Sequence, residues 1–182
     1  MNLASCNLFT PRDPESPQTE QANWQLPVTI DLLISNFRNA FGDRNLLNYM
    51  RSFSPEPTAS AVVNTAYVFI PTAESPAGIF AGWNTASEEN FFRRFSASIK
   101  TGFGASLLLT EIERTQSPQQ AQIEFMYRLR ATYTDAALGS ESSGKMLLTL
   151  SQSAGGTWFI SQWQDVKDTS SVTFSELKRQ LR

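Results

Sequence analysis

The feature that most constrains this chain is a change of period at Gly104. Before it, apolar residues recur every three or four positions; after it, they recur every second position for most of what remains. The first spacing lines one side of a helix, and the second lines one face of a pleated strand. The chain therefore reads as α+β, with helices first and a run of antiparallel strands second.

The helical half opens at Pro27, which suits a first turn, and Ile30, Leu33, Ile34, Phe37 and Phe41 mark an amphipathic helix from Val28 to Phe41. Gly42 is expected to end it, and Asp43 to cap a second helix through Phe53 that buries Leu46, Leu47, Met50 and Phe53. Pro55 and Pro57 stop that helix. Ala61 to Ile70 is rich in Val, Tyr, Phe and Ile and predicts a strand that Pro71 closes. Thr85-Ala86-Ser87-Glu88 has the form of a capping box. It predicts a third helix to about Lys100, with Phe91, Phe92, Phe95 and Ile99 inward and Trp83 as a staple.

In the strand half, Ile123, Phe125, Tyr127, Leu129, Ala131 and Tyr133 alternate with polar or charged neighbours. Leu107–Thr115 precedes that strand across Ser117-Pro118-Gln119. Lys145–Gln152 joins Thr157–Val166 across Ala154-Gly155-Gly156, which gives two hairpins in all. A second box, Thr173-Phe174-Ser175-Glu176, predicts a short closing helix.

Composition excludes several chemistries. The chain has no histidine, so neither a Ser-His-Asp nor a Cys-His arrangement can form, nor the usual His-containing zinc site. Spaced metal ligands and a phosphate loop are also missing from the pattern, so neither a metal nor a cofactor is expected. Fifteen Lys and Arg against seventeen Asp and Glu leave no basic excess for nucleic acid. No stretch reaches the roughly 18 apolar residues of a membrane span.

The tetrapeptide Leu3-Ala4-Ser5-Cys6 resembles a bacterial lipobox, in which cleavage before the cysteine frees it for acylation. Only Met1 and Asn2 precede the box, where a leader has a basic and then an apolar region. Cys6 therefore reads either as a lipidation site or as a free thiol in an irregular terminus. Residues 7–26 contain Pro11, Pro14 and Pro17 among polar side chains and read as a tether reaching roughly 25 Å if flexible and about 60 Å if extended. The expected organisation is thus 1–6 as the remnant of a leader, 7–26 as tether and 27–182 as the domain. The resemblance implies a membrane partner through lipid on Cys6 and residence in the bacterial cell envelope. Asn7, where inner-membrane lipoproteins often carry aspartate, points to the outer membrane.

The element order, with Asn36-Phe37-Arg38-Asn39-Ala40-Phe41, Asn45-Leu46-Leu47-Asn48-Tyr49 and the stretch Gly156-Thr157-Trp158-Phe159-Ile160-Ser161-Gln162-Trp163-Gln164-Asp165, resembles the nuclear transport factor 2-like superfamily. The resemblance covers Val28 to Lys167. It implies a cone in which a curved antiparallel sheet wraps the N-terminal helices, and pairing of two copies through the outer sheet face. The superfamily includes ketosteroid isomerase-like and polyketide cyclase-like enzymes as well as noncatalytic binding modules. Here the Val28–Phe41 helix lacks the tyrosine of the isomerase-like members, and the histidine of the dehydratase-like members is missing.

Two functions follow as expectations. In the first, a lipid-anchored envelope protein binds a small apolar ligand or an envelope protein without catalysis, through Trp83, Tyr127, Tyr133 and Trp163. In the second, an isomerase-, cyclase- or hydrolase-like enzyme uses Asp165 or a buried Glu as base and a tyrosine, with Tyr127 the candidate, as acid. Asp165 shares a strand face with Trp163; it reads as a base beside an indole or as a cap for a turn. Tyr127 and Tyr133 read as ligand contacts or as core rings whose hydroxyls reach the rim. Trp83, between Gly78, Gly82 and Ile79-Phe80, reads as a lid at the cone mouth or as packing over the core. Glu111 and Glu113 are expected to face Arg128 and Arg130 as a charge ladder.

Overall fold

A computed structural model describes residues 23–56, 66–169 and 172–182. Cys6 and most of the Pro-rich segment lie outside the described residues. The segment's last residues rest on the domain: Gln25 exchanges two hydrogen bonds with the Asn36 side chain, at 3.1 and 2.5 Å, and Arg51 lies 5.7 Å over the Trp24 ring.

Helix α1 spans Ile30–Asp43 and begins one turn later than Pro27, because Thr29 caps it by accepting from the Leu32 N–H. Pro27 instead offers its carbonyl to the Trp158 N–H. Gly42 does not end the helix. The chain turns at Arg44, which takes a left-handed conformation (φ 53°), while the Asn45 N–H closes on the Ala40 carbonyl. Asn45, not Asp43, then caps α2, Leu46–Arg51, which is shorter than expected; Phe53 is still buried in the turn that follows.

Of the strand expected over 61–70, the described part is β1, Val68–Ile70; residues 57–65 lie outside the described residues. Helix α3 spans Thr85–Ser98. Its cap is Asn84, which accepts from the Ala86 and Ser87 amides, so the helix frame begins one residue before the expected box. That offset frees Glu88 from capping and puts it on the stripe of Phe91, Phe92 and Phe95.

Strands β2 (Ala105–Gln116), β3 (Gln120–Ala131), β4 (Glu141–Gln152) and β5 (Trp158–Val166) form an antiparallel meander, and β1 adds to β5 in parallel. The five-stranded sheet has the order β1-β5-β4-β3-β2. Irregularities between Glu111 and Glu113 and between Thr149 and Leu150 help to bend it into an open curve. The face that the alternation marks as apolar is the buried one, and it is the concave side: Ile123, Phe125, Tyr127 and Leu129 on β3, Met146 and Leu148 on β4, and Ile160, Trp163 and Asp165 on β5 are buried. Tyr133 falls beyond the end of β3 and bridges to Ile99.

The register of β2 on β3 rules out the expected charge ladder, because Arg128 stands opposite Leu108 and Arg130 opposite Ser106. It sets Glu113 opposite Glu124, while Arg128 and Arg130 both pair with Glu141, at 3.3 and 2.9 Å. Helix α4, Phe174–Gln180, starts as the sequence indicates, with the Thr173 hydroxyl accepting from the Glu176 amide. It seats Phe174 and Leu177 in the core alongside α1 and β5.

Candidate functional site

Inside the cone, Phe37, Phe41, Tyr49, Phe53, Phe92, Phe95 and Phe174 contact one another ring to ring, with centroids 4.1–6.1 Å apart. Beside them lies a polar cluster built from separate elements. Helix α3 brings in Glu88 and α4 brings in Lys178, both with side chains 0% exposed, and the Lys178 ammonium lies 2.6 Å from Glu88 Oε1. The same oxygen accepts from Tyr67 Oη at 2.6 Å and Trp83 Nε1 at 2.8 Å, and Oε2 accepts from Tyr49 Oη at 2.7 Å. The ammonium also sits 3.6 Å from the Phe69 ring centroid and 3.8 Å from that of Trp163, with Trp83 and Phe91 each at 5.5 Å. An aromatic cage with a carboxylate at one side is a recognition site for an alkylammonium, and this chain supplies the ammonium itself.

Burial lowers the Lys178 pKa to about 8, although the attraction of Glu88 pulls the other way. Burial first, and then the Glu88 charge, hold the Tyr49 and Tyr67 phenols well above their ordinary value, so both remain donors. The Trp163 indole N–H is buried with no hydrogen-bond partner among the described residues; its ring face serves the cation instead.

The structure brings Asp165 and Tyr127 together at 2.8 Å, and both are turned to the start of α4. Asp165 Oδ2 accepts from the Ser175 amide at 2.6 Å, and Tyr127 Oη accepts from the Phe174 amide at 2.8 Å. The two side chains satisfy helix amides that have no partner within the helix. Burial, more than the Asp165 charge, raises the Tyr127 pKa.

Of the four residues expected at a ligand, Trp83 and Trp163 meet at the Lys178 ammonium. Tyr127 packs on Phe174 at 4.7 Å, and Tyr133 stands apart against Phe95 at 6.2 Å, where burial raises its pKa. Sequence reasoning missed Glu88, Lys178, Tyr49 and Tyr67 as members of a site. The available signals were Glu88 at three and seven residues before Phe91 and Phe95, and Lys178 in the turn between Leu177 and Leu181.

The architecture is the nuclear transport factor 2-like, or cystatin-like, cone. No protein-family model and no curated protein matches the chain. Solved structures do match. A protein from Novosphingobium aromaticivorans, provisionally named an aromatic ring hydroxylase, superposes with TM-score 0.56 at 14% identity, over 81% of this chain and 93% of that one. A second protein from the same organism, provisionally named a scytalone dehydratase, gives 0.54 at 10% identity over 74% and 78% of the two chains. A Nostoc punctiforme protein of unknown function with a cystatin-like fold gives 0.51 at 11% identity over 78% and 90%. At these identities the likeness is one of fold.

Proposed function

We propose that this chain is a noncatalytic ligand- or partner-binding domain of the bacterial envelope, anchored by lipid on Cys6, with the outer membrane as its site. One observation carries the noncatalytic reading. The place where a cone enzyme keeps its reacting groups is filled by aromatic rings and by Lys178, which sits on the Glu88 carboxylate. That carboxylate already takes four donors, three on Oε1 and one on Oε2, and its side chain is fully buried, which leaves a substrate no approach to it. Binding then falls to the rim beside Trp83 and to the outer face of the sheet, through which two copies pair.

The Tyr127–Asp165 contact favours a second reading, in which these residues serve an isomerase- or cyclase-like reaction. Deuterium exchange separates the two. Cyclic ketones and enones incubated with the protein in D2O should gain no deuterium over buffer if the domain is noncatalytic. Incorporation that Asp165→Asn removes would establish the enzyme. The anchor is tested by expressing the gene with its native upstream DNA and a fatty-acid label: the wild type is expected to carry label and sediment with membranes, and Cys6→Ser to do neither. An unlabelled wild type makes Cys6 a free thiol.

A further inference from the structure

Against the far side of the aromatic wall lies a cavity of about 180 Å³ lined in part by Ile79, Trp83, Asn90, Phe91, Arg94 and Arg182. Its back wall is shared with the core, because Trp83 and Phe91 each also stand 5.5 Å from the Lys178 ammonium. Trp83 cannot swing freely, since its indole N–H is held by Glu88 at 2.8 Å. The wall is therefore preformed.

The side-chain charge of this lining is one-sided. It contains two arginines and no aspartate or glutamate. Neighbouring Arg93 is paired with Glu89 at 2.5 Å, whereas no carboxylate of the described residues pairs with Arg94 or Arg182. Arg182 gives one guanidinium N–H to the Ile79 carbonyl at 2.7 Å, which fixes the group at the rim and leaves its other donors available. A guanidinium fork prefers a planar carboxylate, and indole and phenyl faces prefer a ring. The volume equals the share of about six waters, which suits one ring bearing one acidic group and no more.

We infer that this rim cavity is a binding site for a small aromatic carboxylate, whose ring lies on Trp83 and Phe91 and whose carboxylate is held by Arg94 and Arg182. The inference rests on the ligand-binding reading above and narrows it from an apolar ligand to an amphipathic anion.

Benzoate is the probe, and benzamide is its neutral counterpart of the same shape. Titration into the 15N-labelled domain should move the Trp83 indole N–H signal, assigned by its loss in Trp83→Phe, with a millimolar or tighter Kd. Arg94→Gln combined with Arg182→Gln alters two exposed side chains and should weaken benzoate roughly tenfold or more. Benzamide should leave the signal in place. Undiminished binding of benzoate by the double variant, or an equal response to benzamide, overturns the proposal. If benzoate leaves Trp83 unmoved while the neutral dye Nile red is bound elsewhere, this site falls and the ligand-binding reading stands; if neither binds, both fall.

Discussion

Lys178 and Glu88 show what a buried pair does for a small cone. Removing two charges from water is unfavourable, and the attraction between them, with two phenols and an indole completing the shell, offsets that. Losing one partner strands the other, so Lys178→Met and Glu88→Gln should each destabilise by about 3–5 kcal/mol in urea unfolding. The double variant should recover most of that loss. Recovery that fails to appear would mean the two residues contribute separately. The same ammonium predicts a pH response. Its pKa falls from an ordinary 10.5 to about 8, so between those values the unfolded chain binds a proton that the folded chain lacks, and stability rises with pH. The gain from pH 8 to 10 is about 2 kcal/mol, and Lys178→Met should lack it. Above about pH 10 the trend reverses, because the folded state keeps the phenolic protons of Tyr49, Tyr67 and Tyr127 that the unfolded chain releases. Unfolding free energies at pH 8, 9, 10, 11 and 12 check both limbs. Little of this cluster was legible in the sequence. Thr85-Ala86-Ser87-Glu88 fits both a capping box and the start of a buried stripe, and only the one-residue offset set by Asn84 decides between them.

Among the elements, alternation was the most reliable guide. The concave set from Ile123 to Leu129 follows from period two alone, whereas boundaries followed side-chain capping that the pattern does not encode. Arg44 is the clearest case. Gly42 is the obvious helix terminator, but the left-handed turn falls two residues later, on a residue with a Cβ. Arg44→Gly should therefore stabilise the domain by about 0.5–1 kcal/mol, seen as a higher urea midpoint at unchanged slope. A lower midpoint would show that the arginine side chain contributes more than the backbone strain removes. Bulges were not legible at all. The β2–β3 register was no more legible: it sets Arg128 and Arg130 opposite Leu108 and Ser106, and both arginines pair with Glu141, on a strand the sequence reading began at Lys145.

Over the whole molecule, element order was enough to indicate the cone, because helices followed by a meander have few ways to bury one face each. The site was not legible at that scale, since its members come from well-separated segments and meet only after the sheet has curved. Among the described residues, the outer face of that sheet keeps apolar side chains exposed. Met126 is 38% exposed and Val166 36%, both standing in one cross-strand row with Lys145, and Leu108 is 54% exposed near by on β2. Pairing of two copies through this face predicts a dimer in sedimentation equilibrium that Met126→Lys converts to monomer with its fold intact. A wild-type monomer would remove that part of the proposal.

The Glu88–Lys178 link joins residues 90 positions apart, which bears on the order in which the protein is made. A chain leaving the ribosome presents Glu88, Tyr49, Tyr67 and Trp83 well before the Lys178 ammonium that pairs with the carboxylate. Until then the carboxylate has no cation, and the aromatic wall has only water against it. The buried polar cluster therefore cannot close segment by segment behind the ribosome; it waits for α4.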